Sequence, residues 1–167
     1  MTLTIREAVE AARRRVGDDP ARAVVHLRTE ARMGEGTRVE MKAGGFELAA
    51  DEPTSVGGTG TAANPVQLAL AALGSCQAIT YRYWATQLGL RLAAVSITVE
   101  ADFDTGAFFG FPGAGTPAPS GVRCAVTLEG PEPAERYDEL VAAVDEHCPV
   151  LDLFTRAVPV ERVVKTA

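Results

Sequence analysis

The 167-residue sequence predicts a single α+β domain in which antiparallel strands pack against a long apolar helix. Three observations indicate this class. The stretch Asn64–Leu88 carries helix signals and almost no charge, Ala94–Phe103 alternates with the period of a strand, and glycine turns separate short strands near the N-terminus. Strands and helices that follow one another without a regular βαβ repeat are typical of α+β domains.

The predicted central helix organises the rest of the chain. Asn64 is a good N-cap, Pro65 suits the first helical position, and Gln67 is placed to complete a capping box. The residues that follow are apolar or small on every side, which predicts a helix buried all round. No charge occurs between Glu52 and Arg82, yet the apolar run is shorter than the roughly 20 residues of a membrane span.

Composition restricts the class of function. The net charge of −6 argues against nucleic acid as a partner, and the N-terminus mixes Arg6 and Glu7 into its apolar residues, unlike a signal peptide. Three cysteines, an odd number, fit a reducing cytoplasm better than a disulfide framework. We therefore expect a cytoplasmic protein that binds neither nucleic acid nor membrane.

The N-terminal third is predicted to contain one helix and a small sheet. An amphipathic helix spans Ile5–Val16 and ends at Gly17. Three short antiparallel strands are predicted at Val24–His26, Arg38–Met41 and Phe46–Ala50. The loop 51–63 that follows contains glycines without the Gly-Lys-Ser/Thr ending of a phosphate-binding loop, so we expect a close backbone approach there instead.

After the central helix, two strands, a second helix and a last strand are predicted. They lie at Ala94–Phe103, Val122–Leu128, Pro131–Glu146 and Val158–Val164. Between the first two, the Gly- and Pro-rich segment 105–121 is expected to be irregular and to expose Phe108, Phe109 and Phe111. One sheet and two modest helices are too few to cover an apolar central helix on all sides, so the pattern favours an intimate homodimer.

Cys76 and Cys148 are the candidate reactive residues. Cys76 lies about three turns into the central helix, too far from its N-terminus for the helix dipole to stabilise a thiolate. The activating cation must then come from an arginine, with Arg28, Arg32 and Arg38 as candidates on the early strands. Two alternatives stay open. Both cysteines are inert core residues, or they form a zinc site with Cys124 and His147, although no paired ligand spacing supports the zinc site.

Several motifs in order resemble the OsmC/Ohr family, the osmotically inducible and organic hydroperoxide resistance superfamily. They are DEPTSVGG, NPVQLALAALGSC, YWATQLGLRL, VSITVEADFD and HCPVLDLF. The resemblance extends from about Arg22 to the C-terminus, and the preceding residues resemble an N-terminal helix of a less characterised branch. We therefore expect one OsmC-like domain over residues 1–167, with a helix and turn in residues 1–20 and a core in residues 21–167.

The resemblance implies a fold, an assembly and a mechanism. The fold is an intertwined homodimer in which sheets from both chains wrap the long central helices, with two active sites at the interface. Cys76 corresponds to the cysteine that attacks a peroxide, Cys148 to the resolving cysteine that closes a disulfide, and Arg38 best matches the activating arginine. A dithiol reductant reopens the disulfide, and no cofactor or metal is implied.

The chain departs from the family at Val66. The peroxidases of this family carry a glutamate ten positions before the first cysteine, where it fixes the arginine; Glu47 or Glu52 is the candidate substitute here. The leading functional prediction is thiol-dependent reduction of organic or hydrogen peroxide in oxidative stress defence. The alternative is a dimer that binds an apolar small molecule without catalysis, with the cysteines lining its pocket.

Overall fold

The computed structural model describes residues 2–166 and divides the chain into two compact units. The first unit ends at Ala71 and the second begins at Ala72, both within one long helix. In the described residues the helices are α1 (Ile5–Asp18), α2 (Pro65–Gln87), α3 (Thr105–Phe109), α4 (Ala134–His147) and α5 (Pro149–Thr155). The strands are β1 (Thr29–Met33), β2 (Val39–Ala43), β3 (Phe46–Ala50), β4 (Ala94–Ala101) and β5 (Val122–Glu129). The predicted α+β class is confirmed.

The first unit contains α1 and a three-stranded antiparallel sheet in the order β1-β2-β3. Helix α1 begins with a capping box in which Thr4 and Glu7 each accept a hydrogen bond from the other's backbone N–H. The strands are joined by tight turns at Gly36 and Gly44, which adopt the positive φ angles (61° and 60°) that glycine tolerates best. Glycine turns between short strands in this part of the chain agree with the sequence prediction.

The first strand lies later in the chain than the predicted Val24–His26. Strand β1 runs from Thr29 to Met33 because these residues reach the partner strand: Met33 pairs with Val39 and Thr29 with Ala43. Val24 forms no strand and is 83% exposed. Its apolar side chain misled the prediction, since a strand also needs a partner for its backbone groups.

Helix α2 begins and ends as its sequence predicts. The backbone N–H of Gln67 donates to Asn64 Oδ1 at 2.8 Å, and the N–H of Asn64 donates to Gln67 Oε1 at 3.0 Å, which completes the capping box. At the other end Gly89 has φ +68°, and Leu90 N–H donates to the carbonyl of Ala85 at 2.8 Å. This is a Schellman ending, which satisfies the last carbonyl groups of the helix.

The single chain does not bury α2 on all sides. Its buried residues form one stripe along the helix: Leu73, Gln77, Thr80, Tyr81 and Ala85. On other faces Ile79 remains 59% exposed and Tyr83 40% exposed. One chain thus covers a single stripe of α2, and burial on the other faces stays a prediction that depends on a second copy of the chain. Among residues 2–166 no helix is long and apolar enough to cross a membrane.

The second unit packs β4, β5 and α4 around the later part of α2. Strands β4 and β5 pair antiparallel over their whole length, from Ala94 opposite Glu129 to Ala101 opposite Val122. The core consists of Tyr81, Ala85, Leu90, Leu92, Leu140, Val144 and Cys148. A Cβ atom added to Gly74 would meet the Val99 side chain at 3.3 Å, so the glycine allows β4 to approach the helix closely.

Three parts of the second unit differ from the prediction. The segment 105–121 is not wholly irregular, because Asp104 Oδ1 caps a short helix, α3, at the N–H of Gly106. A fifth helix begins at Pro149, a residue favoured at the first helical position, directly after the end of α4. The predicted strand Val158–Val164 is absent from the described residues: it pairs with no neighbour, and its valines are exposed.

Candidate functional site

The second unit brings Cys76 and Cys148 together. Cys76 lies in α2, half-buried, and its side chain packs against the core cluster that contains Cys148. Cys148 lies between α4 and α5 and is 1% exposed. All three cysteines are free thiols. Two thiols that differ in access, one reachable and one enclosed, are therefore in contact inside one unit.

The environment of Cys148 favours its protonated form. Burial raises the pKa of the Cys148 thiol, and a hydrogen bond with Cys76 and the negative charge of a Cys76 thiolate raise it further. The backbone N–H groups of Leu151 and Val150 at the start of α5 act in the opposite direction. The raised pKa is the direction expected when Cys148 S–H donates to the sulfur of Cys76, which places a hydrogen-bond donor beside the more accessible thiol.

Two polar residues near Cys76 and Cys148, Tyr81 and Gln77, were not predicted from the sequence. Tyr81 is 2% exposed, and burial, with the charge of Asp145 as the next cause, raises its pKa to about 12. Gln77, next to Cys76 in the chain, accepts a hydrogen bond from the exposed Cys124 at 3.3 Å. Helical spacing gave no signal for them, because positions one and five after Cys76 do not share its face of α2.

An apolar groove lies in the second unit at Cys124. It has a volume of about 640 Å³ and is lined by residues that include Leu73, Cys124, Leu151 and Phe154. Cys76 and Cys148 do not line it, although Leu73 precedes Cys76 by three positions on α2. Since residues three apart on a helix are neighbours, the groove lies about one helical turn from Cys76.

One aromatic contact lies at the same end of α4. The rings of Trp84 and His147 are tilted at 39° with their centroids 4.2 Å apart. His147 Nδ1 is 2.8 Å from the carbonyl oxygen of Ala143, one turn earlier in the helix. The contact fixes the imidazole next to Cys148 in the chain and places the single tryptophan against the core.

Arg38, the third predicted catalytic residue, belongs to the first unit. Its Nε donates to Glu40 Oε1 at 2.7 Å, and its Nη1 donates to the hydroxyl of Thr61 at 2.9 Å. The carboxylate that pairs with Arg38 is thus Glu40, two positions further along the chain in β2, and not the predicted Glu47 or Glu52. Of the other candidate arginines, Arg28 pairs with Glu30 on the surface and its side chain is 74% exposed.

Asp51 is the best-satisfied polar group of the first unit, and it too was missed. The residue is 1% exposed, and its two carboxylate oxygens accept hydrogen bonds from Thr37, Thr59, Thr61 and the N–H of Glu52. The Thr59 and Thr37 hydroxyls hold the pKa of Asp51 well below its usual range. The available sequence signal was an acidic residue at the start of a loop rich in threonine and glycine.

Glycine allows this loop to close around Asp51. A Cβ atom at Gly58 would overlap the carbonyl oxygen of Glu52, and Gly57 and Gly60 have φ angles of 90° and 67°. The predicted close backbone approach is confirmed. Within residues 2–166 no three His, Cys, Asp or Glu side chains come together as metal ligands would. The alternative of a zinc site formed by the cysteines and His147 therefore has no support in these residues.

A family profile decides which family the chain resembles. The profile described as OsmC-like protein matches residues 58–162, more than half of the chain. The chain belongs to the OsmC-like family. Both Cys76 and Cys148 lie inside the matched range, and Arg38 lies before it. Among proteins with curated descriptions, none matches the chain.

Solved structures agree with an OsmC-like fold. The chain is 27% identical to the organic hydroperoxide resistance protein OsmC of Legionella pneumophila, with a TM-score of 0.59 over 79% of this chain and 90% of that one. An OsmC-like protein from Mycoplasma pneumoniae is 16% identical, with a TM-score of 0.67 over 78% and 87%. An organic hydroperoxide resistance protein from Elizabethkingia anophelis is 15% identical, with a TM-score of 0.61 over 79% and 89%. The last two show likeness of fold alone.

Proposed function

We propose that this OsmC-like protein is a thiol-dependent peroxidase that reduces organic hydroperoxides or hydrogen peroxide in oxidative stress defence. The observation that carries the proposal is the contact between a half-buried Cys76 and a fully buried Cys148. Membership of the OsmC-like family and the hydroperoxide resistance of the 27%-identical Legionella pneumophila protein support it. The first thiol reacts with peroxide, and the second resolves the product.

In the first step the thiolate of Cys76 attacks the distal oxygen of the peroxide. The S–O bond forms as the O–O bond breaks, sulfur loses two electrons, and the remaining alkoxide takes up a proton to leave as alcohol or water. Cys76 becomes a sulfenic acid. The thiolate, not the thiol, is the nucleophile, so the step needs groups that favour negative charge on Cys76.

In the second step Cys148 attacks the sulfenic sulfur of Cys76. A disulfide forms, and the hydroxyl leaves as water with the proton that Cys148 gives up. An external dithiol then reduces the disulfide by two thiol–disulfide exchanges and is itself oxidised to a disulfide. Because burial raises the pKa of Cys148, this thiol stays protonated and does not compete with Cys76 for peroxide.

Arg38 is proposed to stabilise the Cys76 thiolate. An arginine is always charged, and an opposite charge within about 4–6 Å favours an ionised group. The arginine side chain at position 38 is 37% exposed and retains donors beyond those that contact Glu40 and Thr61. The groove lined by Leu73, Cys124 and Leu151 suits the apolar part of an organic hydroperoxide, because its volume lies in the range of small-molecule sites.

We also propose that the protein acts as a homodimer. The face of α2 that carries Ile79 and Tyr83 is apolar and uncovered in one chain. Phe108, Phe109 and Phe111 contact one another but remain 58%, 49% and 61% exposed. Contiguous apolar patches of this kind mark interaction sites, and a second copy of the chain supplies complementary apolar surface.

The direct test is a thiol count before and after one equivalent of cumene hydroperoxide under anaerobic conditions. The proposal expects the count to fall from three thiols to one per chain. Cys76→Ser should abolish peroxide consumption. Cys148→Ser should let a sulfenic acid accumulate on Cys76, where dimedone traps it. Cys124→Ser removes a thiol outside the pair and should retain turnover. Peroxide consumption by Cys76→Ser at the parent rate would contradict the proposal.

The groove favours one alternative function, the binding of an apolar small molecule without catalysis. The groove is lined by residues that include Leu73, Leu153 and Phe154. Binding of an apolar molecule there requires no reactive cysteine. A fluorescent fatty acid distinguishes the two proposals. The binding alternative expects equal affinity in the parent protein and in Cys76→Ser, together with a thiol count that peroxide leaves unchanged.

A further inference from the structure

We propose that Thr61, anchored on the buried Asp51, is the positioning residue that fixes the Arg38 guanidinium for the reaction of Cys76. The inference rests on the proposed function, in which Arg38 stabilises the Cys76 thiolate. It assigns Thr61 and Asp51 a part in the reaction that the sequence analysis did not foresee. The hydrogen bonds that link Asp51, Thr61 and Arg38 all lie within the first unit.

The Thr61 hydroxyl accepts from Arg38. Its oxygen lies 2.9 Å from Arg38 Nη1 and 3.1 Å from both Asp51 Oδ2 and Thr59 Oγ1. Because a guanidinium only donates, a lone pair of Thr61 must face Arg38, and its proton goes to Asp51 or to Thr59, whose own hydroxyl donates to Asp51. Thr61 therefore connects the buried Asp51 carboxylate to the guanidinium.

Several hydrogen bonds hold the Asp51 carboxylate in place. The backbone N–H groups of Thr59 and Thr61 both donate to Asp51 Oδ2 at 3.1 Å, and the Thr37 hydroxyl donates to Oδ1 at 2.7 Å. Hydrogen bonds to an ionised group are shorter and stronger than neutral ones. Because Asp51 is 1% exposed, its position is set by the fold, and Thr61 transmits that position to Arg38.

Glu40 alone is a weak restraint on Arg38. Its side chain is 61% exposed, and exposed ion pairs contribute little, since water competes for both partners. The Thr61 contact ties a second nitrogen of the guanidinium to an interior anchor. In residues 2–166 no acceptor takes a hydrogen bond from Nη2 of Arg38, so this nitrogen keeps its donors for an anion.

Thr61 adds a second restraint on Arg38 that carries no formal charge. Glu40 already pairs with Arg38 Nε through an exposed carboxylate. The Thr61 hydroxyl fixes another nitrogen of the guanidinium, and the negative charge of Asp51 stays one residue further away. Thr61 therefore restrains Arg38 without placing a second carboxylate in direct contact with it.

The test compares Thr61→Val, Thr61→Ser and Arg38→Gln with the parent protein. Thr54→Val, in the same loop, is the matched control, because the Thr54 side chain makes no hydrogen bond to any described residue. Site-resolved mass spectrometry follows the alkylation of Cys76 by iodoacetamide between pH 5 and 10, and stopped-flow measures the rate constant with cumene hydroperoxide. Thermal unfolding of each variant checks that the fold is retained.

We expect Arg38→Gln to raise the pH of half-maximal alkylation by about one unit or more, as the loss of a nearby cation should. Thr61→Val should raise it by about half a unit and slow the peroxide reaction about tenfold, the effect of one lost hydrogen bond. Thr61→Ser should restore both values to within about twofold of the parent, because the hydroxyl is kept. Thr54→Val should match the parent.

Two results would overturn the inference while the peroxidase proposal stands. In one, Arg38→Gln shifts the alkylation profile and Thr61→Val does not. In the other, Thr61→Ser is as defective as Thr61→Val, which would mean that packing and not the hydroxyl matters. If Arg38→Gln leaves the profile unchanged, the role of Arg38 in the proposed function fails and the inference fails with it. A Cys76→Ser variant that still consumes peroxide refutes the proposed function separately.

Discussion

Leu140→Ala tests whether the cluster around Cys148 is the core of the second unit. Leu140 is 0% exposed and packs with Tyr81, Val144 and Cys148. Truncation removes three carbon atoms and leaves a cavity, and at a fully buried leucine this costs about 3–5 kcal/mol of the free energy of unfolding. For a chain of this size each kcal/mol lowers Tm by about 2–4 °C, so we expect Tm to fall by roughly 6–20 °C.

Urea unfolding followed by the fluorescence of Trp84 measures this change. Trp84 is the single tryptophan and packs against the same cluster, so its emission reports the loss of that core. Leu140→Met is the matched control, because it keeps the volume and should cost less than about 1.5 kcal/mol. Protein concentration is held fixed, since association shifts the midpoint. A loss below about 1 kcal/mol in Leu140→Ala would refute the assignment of the core.

Three further predictions concern the loop, its acid and the assembly. Gly58→Ala should lower Tm by several degrees, because its Cβ would overlap the carbonyl oxygen of Glu52; a Tm equal to the parent's would contradict the close approach. The pKa of Asp51 is lowered on folding, so its stabilisation is present above the ordinary aspartate pKa of about 4 and is lost as the pH falls towards the lowered value. Urea midpoints from pH 6 to 3 should therefore fall more steeply in the parent than in Asp51→Asn, and parallel curves would show no linkage. Ile79→Asp, at a site 59% exposed in one chain, should give a folded monomer in sedimentation where the parent is a dimer; a parent that sediments as a stable monomer would refute the homodimer.

The sequence predicts elements well where local chemistry defines their ends. Helix α2 has its start encoded by Asn64 and Gln67 and its end by Gly89, so its bounds follow from neighbouring residues. Strands depend on partners elsewhere in the chain, which local alternation does not reveal. Val24 resembles a strand residue but pairs with nothing, whereas β1 forms where the turn at Gly36 brings it against β2.

The candidate site, like the fold, could be predicted where local sequence identifies a residue and not where distant residues meet. Cys76 and Cys148 could be singled out by residue type and by motifs that cover a few positions each. The link from Arg38 through Thr61 to Asp51 joins residues separated by 23 and 10 positions, and it depends on a loop folding back over a strand. Such contacts follow from tertiary structure, and a threonine in a glycine-rich loop has no distinctive pattern in the sequence.

The graded access of the three thiols has a practical consequence for bioconjugation. Cys124 is exposed, Cys76 is half-buried and Cys148 is enclosed, so a bulky maleimide dye should meet them in that order. Burial and the charge of Asp145 raise the pKa of Cys124, which makes labelling there slow at neutral pH and faster in mild alkali. Once Cys76 is replaced by serine, Cys124 thus offers an attachment site for single-molecule or surface work that needs no added cysteine, while Cys148 stays enclosed.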